Sequence, residues 1–214
     1  YYLYCTGGSR FSVRQTKYLN AWPSESKTIL QLSSLGWARE KGWAPEVYAY
    51  EGKYYMIFSA QGYNDLHAID IAVCDTPDGT FKPLSSTPFF APAYSVIDGS
   101  LFFDDDGRIY MYYSKDNSTN TIGGKRTSQT YGIELEKDFS GVIGEPVLIS
   151  TPEQEWELKS GSVVWNEGPV VFKENGVYYL LYSANYYVSE HYAVGYATSD
   201  TPLAKFEKPD NARV

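Results

Sequence analysis

The strongest constraint on this chain is that it repeats itself. The segment from Glu51 to Pro83, EGKYYMIFSAQGYNDLHAIDIAVCDTPDGTFKP, is echoed from Glu174 to Pro209 by ENGVYYLLYSANYYVSEHYAVGYATSDTPLAKFEKP. Ser59 maps to Ser183 and His67 to His191 at one common interval, and Thr76-Pro77 maps to Thr201-Pro202 after one inserted residue. A third copy, DGRIYMYYSK, aligns Tyr110 with Tyr55 and Ser114 with Ser59. A partial copy opens the chain, where YYLYCT matches Tyr2 to Tyr55 and Thr6 to Ser59. Units that recur like this cannot each bury an apolar face alone, so they must pack on one another.

Within each unit the pattern is that of short strands joined by turns. In the second, a strand from Val47 to Tyr50 meets a Glu51-Gly52 turn. Strands from Tyr54 to Ser59, from Ala68 to Val73 and near Phe81 follow. Glu-Gly, Asp-Gly and Asn-Gly recur at the same place in three units as hairpin punctuation. Asp104-Asp105-Asp106-Gly107 reads accordingly as a turn, because a calcium loop would need further ligands. Helical periodicity is nearly absent. Four-stranded units of this size are propeller blades. The chain is read as one all-β domain of about four blades: a partial blade over 1–36, then 37–92, 93–152 and 153–214. His67 and His191, in loops read as equivalent, are expected to serve structural hydrogen bonding.

Aromatic residues make up 17% of the chain, with 21 Tyr, 10 Phe and 5 Trp, which favours pleated surfaces. Most are expected in the core, while exposed Tyr and Trp offer flat faces suited to sugars. With 26 acidic against 18 basic residues the net charge is −8. A chain so charged repels phosphate backbones, so nucleic acid is excluded and a neutral partner is expected. Cys5 and Cys74 are the only cysteines and have neither metal nor redox spacing. They are read as small buried residues, and with two His a zinc site is not expected. No apolar run approaches the roughly 18 residues of a membrane span.

The repeat also locates the chemistry. In a propeller the first strand of each blade lines the central channel. The interval that separates Trp43 from Ser59 also separates Asp98 from Ser114 and Glu167 from Ser183. The contexts agree: Trp43-Ala44-Pro45, Asp98-Gly99-Ser100 and Glu167-Gly168-Pro169. Two carboxyl groups beside an aromatic suit glycosidic cleavage, where one carboxyl stays protonated to donate to the leaving oxygen. A second carboxylate nearby raises the pKa of the first.

On WAPEVYAYEGKYYMIFSA, VIDGSLFFDDDGRIYMYYSK and WNEGPVVFKENGVYYLLYSANYYVSEHYAVGYATSDTP, the sequence resembles glycoside hydrolase family 43. That family comprises five-bladed propeller arabinanases, arabinofuranosidases and β-xylosidases. The resemblance implies an inverting hydrolase of arabinose- or xylose-containing plant oligosaccharides and polysaccharides. It makes Glu167 the general acid, Asp98 the group that tunes and orients it, and Trp43 part of the sugar-binding surface. The family's base, an Asp in the first blade, is expected upstream of Tyr1. The family's fifth blade carries a central His that helps hold an ion. The expectation is therefore a domain truncated at both ends and nearly inactive alone, with a structural calcium at the propeller centre of the complete domain and no cofactor in this chain. Two alternatives stand beside this: a glycan-binding propeller without chemistry, and a retaining fructan or sucrose hydrolase, whose acid lies in a Glu-Cys-Pro context absent here. Trp165 and the loops at Gly62-Tyr63 and Tyr186-Tyr187 are expected to shape the site's mouth. A polymer substrate implies a secreted or periplasmic enzyme.

Overall fold

The computed structural model describes all residues from Tyr1 to Val214. They form two compact units, Tyr1–Ile97 and Asp98–Val214. Apart from two 3-10 turns, Leu32–Ser34 and Glu155–Leu158, regular structure is all β.

The first unit holds two antiparallel meanders. One runs β1 (Tyr2–Cys5), β2 (Arg10–Gln15), β3 (Lys27–Gln31); the other runs β4 (Ala38–Tyr50), β5 (Lys53–Gly62), β6 (His67–Cys74), β7 (Lys82–Pro83). The second unit repeats the plan. Its first meander uses β8 (Val96–Phe103), β9 (Ile109–Lys115), β12 (Gln129–Leu135) and β13 (Val142–Ser150). Its second uses β15 (Asn166–Glu174), β16 (Val177–Ala184) and β17 (Ala193–Ser199), with Thr198 bridging to Glu207 beyond β17. Sheets of this up-and-down kind are propeller blades. The repeat did not foreshadow one small sheet, in which β10 (Thr121–Ile122), β11 (Lys125–Thr127) and β14 (Val163–Val164) pair, β11 with β14 in parallel.

Local chemistry explains the hairpins. Glu51-Gly52 and Asn175-Gly176 each place both central residues at positive φ (46° and 77°, 51° and 82°). This is the type I′ geometry whose twist matches the flanking strands. At Asp104–Gly107 only Gly107 is left-handed, at 77°, and its N–H closes the turn on the Asp104 carbonyl at 2.9 Å. Asp104 itself turns inward and is buried, with Lys173 Nζ donating to Oδ1 at 2.7 Å and Tyr178 OH to Oδ2 at 2.5 Å. The turn's first acid is thus a rivet between the β8–β9 turn and the β15–β16 hairpin.

β16 alternates half-buried and buried positions, with Tyr178, Leu180, Tyr182 and Ala184 inward. Such a period of two is the strand signature. The first unit's core is aliphatic and Phe-rich (Phe11, Ile29, Met56, Phe58, Phe81), whereas the second is built on Tyr110, Tyr112, Tyr178 and Tyr182. Buried phenols usually find partners, and Tyr112 donates to the Pro202 carbonyl at 2.8 Å, as Tyr4 does to that of Pro77 at 2.7 Å in the first unit. Both acceptors are the prolines of the repeated Thr-Pro dipeptide.

Two sequence expectations need correction. Ser59 pairs with Ile69 and Ser183 with Val194, so the register makes Tyr192, not His191, the counterpart of His67. The extra residue lies in the 185–192 loop, ahead of β17, because a loop absorbs an insertion and a ladder does not. His67 is accordingly buried and His191 exposed. Cys5 and Cys74 are free thiols, but both are only half-buried.

Candidate active site

Glu167 stands at the start of β15, paired with Ser183 on β16, just as Trp43 on β4 pairs with Ser59 on β5. In both strands the ladder then slips by one residue, between Glu167 and Val170 and between Trp43 and Glu46. The slip is a β-bulge, a device that re-aims a side chain at the end of a sheet. The residue after each is left-handed: Ala44 at φ 47° and Gly168 at φ 59°. In β8 the left-handed residue is Asp98 itself, at φ 56°. Asp tolerates this conformation better than most residues because its short side chain can bond locally. Here its Oδ2 accepts the Gly168 N–H at 3.1 Å, one residue from Glu167.

The second unit therefore brings Asp98 and Glu167 together. Burial, then the Asp98 charge, push the Glu167 carboxyl up from 4.5 to about 7, and Asp116 adds a smaller push. Tyr192 works the other way, donating its OH to Glu167 Oε1 at 3.1 Å and favouring the ionised form. A carboxyl so placed keeps its proton near neutral pH and can donate it. Trp43 belongs to the first unit, where its ring lies over His67 with centroids 4.5 Å apart.

Next to Glu167 in the chain lies a buried charge network that sequence reasoning did not anticipate. Asn166 is fully buried; its Oδ1 accepts from Ser150 Oγ at 2.9 Å and its Nδ2 donates to Glu157 Oε1 at 3.0 Å. Lys208 Nζ meets the same Glu157 oxygen at 2.7 Å, with the two side chains 2% and 0% exposed. Glu157 Oε2 accepts the backbone N–H groups of Glu153 and Gln154. Burial would raise the Glu157 pKa, but the Lys208 ammonium and these hydrogen bonds hold it below the ordinary value. Lys208→Met would strand a buried carboxylate. The expected cost is about 3–5 kcal/mol in urea unfolding, partly recovered by adding Glu157→Gln.

Tyr192 was also missed. Its only signal was the inserted residue, which moves it into the His67 position. Tyr192→Phe removes a bond that favours the Glu167 carboxylate. The alkaline limb of a pH–rate profile should therefore move upward, with little change at pH values where Glu167 is already protonated.

No group of three or more His, Cys, Asp or Glu side chains lies close enough to hold a metal ion. No helix is long and apolar enough to cross a membrane.

A family model, "Glycosyl hydrolases family 43", matches residues 1–214. A β-D-galactofuranosidase of Aspergillus niger is 30% identical over 194 residues, covering 84% of this chain and 50% of that protein. A xylosidase/arabinosidase of Bacteroides ovatus is 26% identical, covering 88% of this chain and 61% of that one. Among solved structures, a thermostable family-43 glycoside hydrolase aligns over 99% of this chain and 68% of its own, with a TM-score of 0.91 and 40% identity. The chain spans from half to about three fifths of the length of the two sequence relatives.

Proposed function

The chain belongs to glycosyl hydrolase family 43, and from that premise we propose that the protein cleaves O-glycosidic bonds of neutral, arabinose- or xylose-containing oligosaccharides and polysaccharides with inversion. The observation that carries this reading is the Glu167 carboxyl, held protonated to about pH 7 by burial and by the charge of Asp98. Glu167 donates its proton to the leaving oxygen as the bond to the sugar carbon breaks. Asp98 orients the bulge through the Gly168 N–H and, by its charge, helps keep the proton on Glu167. Since Asp98 is committed to that task, the base that activates water is another residue, standing roughly 6.5–9.5 Å from the acid in an inverting site. The net charge of −8 suits neutral glycans, and substrates of polymer size would be met outside the cytoplasm, which supports a secreted or periplasmic protein.

The test is to incubate the intact protein with arabino- and xylo-oligosaccharides and follow the first-formed sugar anomer by proton NMR. Hydrolysis with the inverted anomer appearing first supports the reading. A retained anomer overturns the mechanism, and binding without cleavage favours a glycan-binding role.

A further inference from the structure

The loop that carries Tyr192 also holds an exposed aromatic surface that the acid–modulator pair leaves unexplained. Trp165, two residues before Glu167, stacks on Tyr186 with ring centroids 5.3 Å apart and planes 29° from parallel. Tyr187 meets Tyr186 edge-on at 5.0 Å. Tyr186 is 41% exposed and Tyr187 67%, and Val188 beside them is exposed at 66%. Contiguous exposed apolar surface marks a binding site more often than chance exposure does.

This surface is held, not loose. Asn185 is buried and left-handed at φ 73°. Its Nδ2 donates to the carbonyls of Trp156 at 2.7 Å and His191 at 3.0 Å, and its Oδ1 accepts the Lys159 N–H at 3.0 Å. Ser160 Oγ accepts the Tyr186 N–H at 3.0 Å, and the Tyr186 carbonyl accepts the Ser189 N–H at 2.8 Å. The far end of the loop closes on the acid through Tyr192. Rigid aromatic rings presented to solvent on a fixed backbone cost little entropy to bind with.

We propose that Trp165, Tyr186 and Tyr187 form a stacking platform for the leaving-group side of the glycan, the sugar units beyond the bond that is cut. The inference rests on the hydrolase reading above. A general acid stands at the bridging oxygen, so the side chains that flank it border the departing sugar. The platform is aromatic with hydroxyl edges, which matches a sugar ring's apolar face and polar rim. Its consequence is a preference for longer chains over short glycosides.

The experiment uses the intact protein carrying Tyr186→Ala, Tyr187→Ala or Tyr186→Phe. Affinity for xylo- and arabino-oligosaccharides of one to four units is read by calorimetry in a Glu167→Gln background. Turnover of the corresponding glycosyl fluorides is read with Glu167 intact, because fluoride is too small to reach the platform. The Ala variants should bind tri- and tetrasaccharides about tenfold more weakly, as expected for losing one stacked ring. Monosaccharide binding and fluoride turnover should stay within about twofold, and Tyr186→Phe should bind like the parent. Unchanged oligosaccharide affinity in the Ala variants overturns the platform, and so does an equal loss for one and four units. If the parent binds and cleaves none of these sugars, the hydrolase reading itself fails and takes the platform with it.

Discussion

Replacing Glu167 by glutamine should lower kcat on natural oligosaccharides by about 10²–10⁴-fold, the usual contribution of a positioned proton donor. Glutamine has the same shape and can still accept the Tyr192 hydroxyl, so the change removes the proton and little else. Glycosides whose leaving groups depart as stable anions, such as dinitrophenolate, need little proton assistance and should lose far less. An equal loss on both substrate types would remove Glu167 from the role. The same variant carries a stability signature. A carboxyl raised from 4.5 to about 7 binds its proton more tightly folded than unfolded. Its contribution is fully present below about pH 4.5 and is lost as pH rises through about 7. Glutamine has no such loss. Glu167→Gln should therefore be the more stable protein above pH 8, by at most about 3 kcal/mol for a shift of this size, and should show no such advantage at pH 4. Urea unfolding at the two pH values measures both arms.

Asp98→Asn should have the second-largest effect, and it acts through pH. Burial is the larger cause of the raised Glu167 pKa and the Asp98 charge the next. Neutralising Asp98 should therefore move the alkaline limb of the kcat/KM profile downward without returning it to that of a free glutamate. On that limb the loss should approach about tenfold for each unit by which the pKa falls, and it should shrink as the pH is lowered. The amide oxygen introduced by Asp98→Asn can still accept the Gly168 N–H, so this substitution separates charge from geometry. Asp98→Ala removes both and should lose activity across the whole profile. A pH-independent loss in Asp98→Asn would show that Asp98 acts by position alone.

The hairpins, the sheets and the place of Glu167 at the start of β15 were legible in the sequence because each is written locally. Glu51-Gly52 and Asn175-Gly176 fix type I′ turns through their own dihedral preferences. The common interval behind Trp43 and Glu167 follows from β-ladders that the structure pairs at Ser59 and Ser183. What stayed hidden depends on contacts far apart in sequence. Nothing near Lys208 announces that it is buried against Glu157, and nothing near Glu157 says that it supports Asn166. The role of Tyr192 was masked by the choice of where one inserted residue falls. Two histidine positions looked equivalent in the alignment. Only the ladder register shows that Tyr192 precedes the Ala184–Ala193 pair as His67 precedes the Ala60–Ala68 pair. The left-handed backbone of Asp98 was equally invisible, since the motif's own glycine is the next residue.

One proton decides the mechanism. Carbon-13 NMR titration of the Glu167 carboxyl, assigned by its loss in Glu167→Gln, measures it directly. A midpoint near 7 that falls in Asp98→Asn and rises in Tyr192→Phe is the predicted result. A midpoint near 4.5 in the parent protein, indifferent to Asp98, would contradict the assignment of Glu167 as an acid kept protonated by its surroundings.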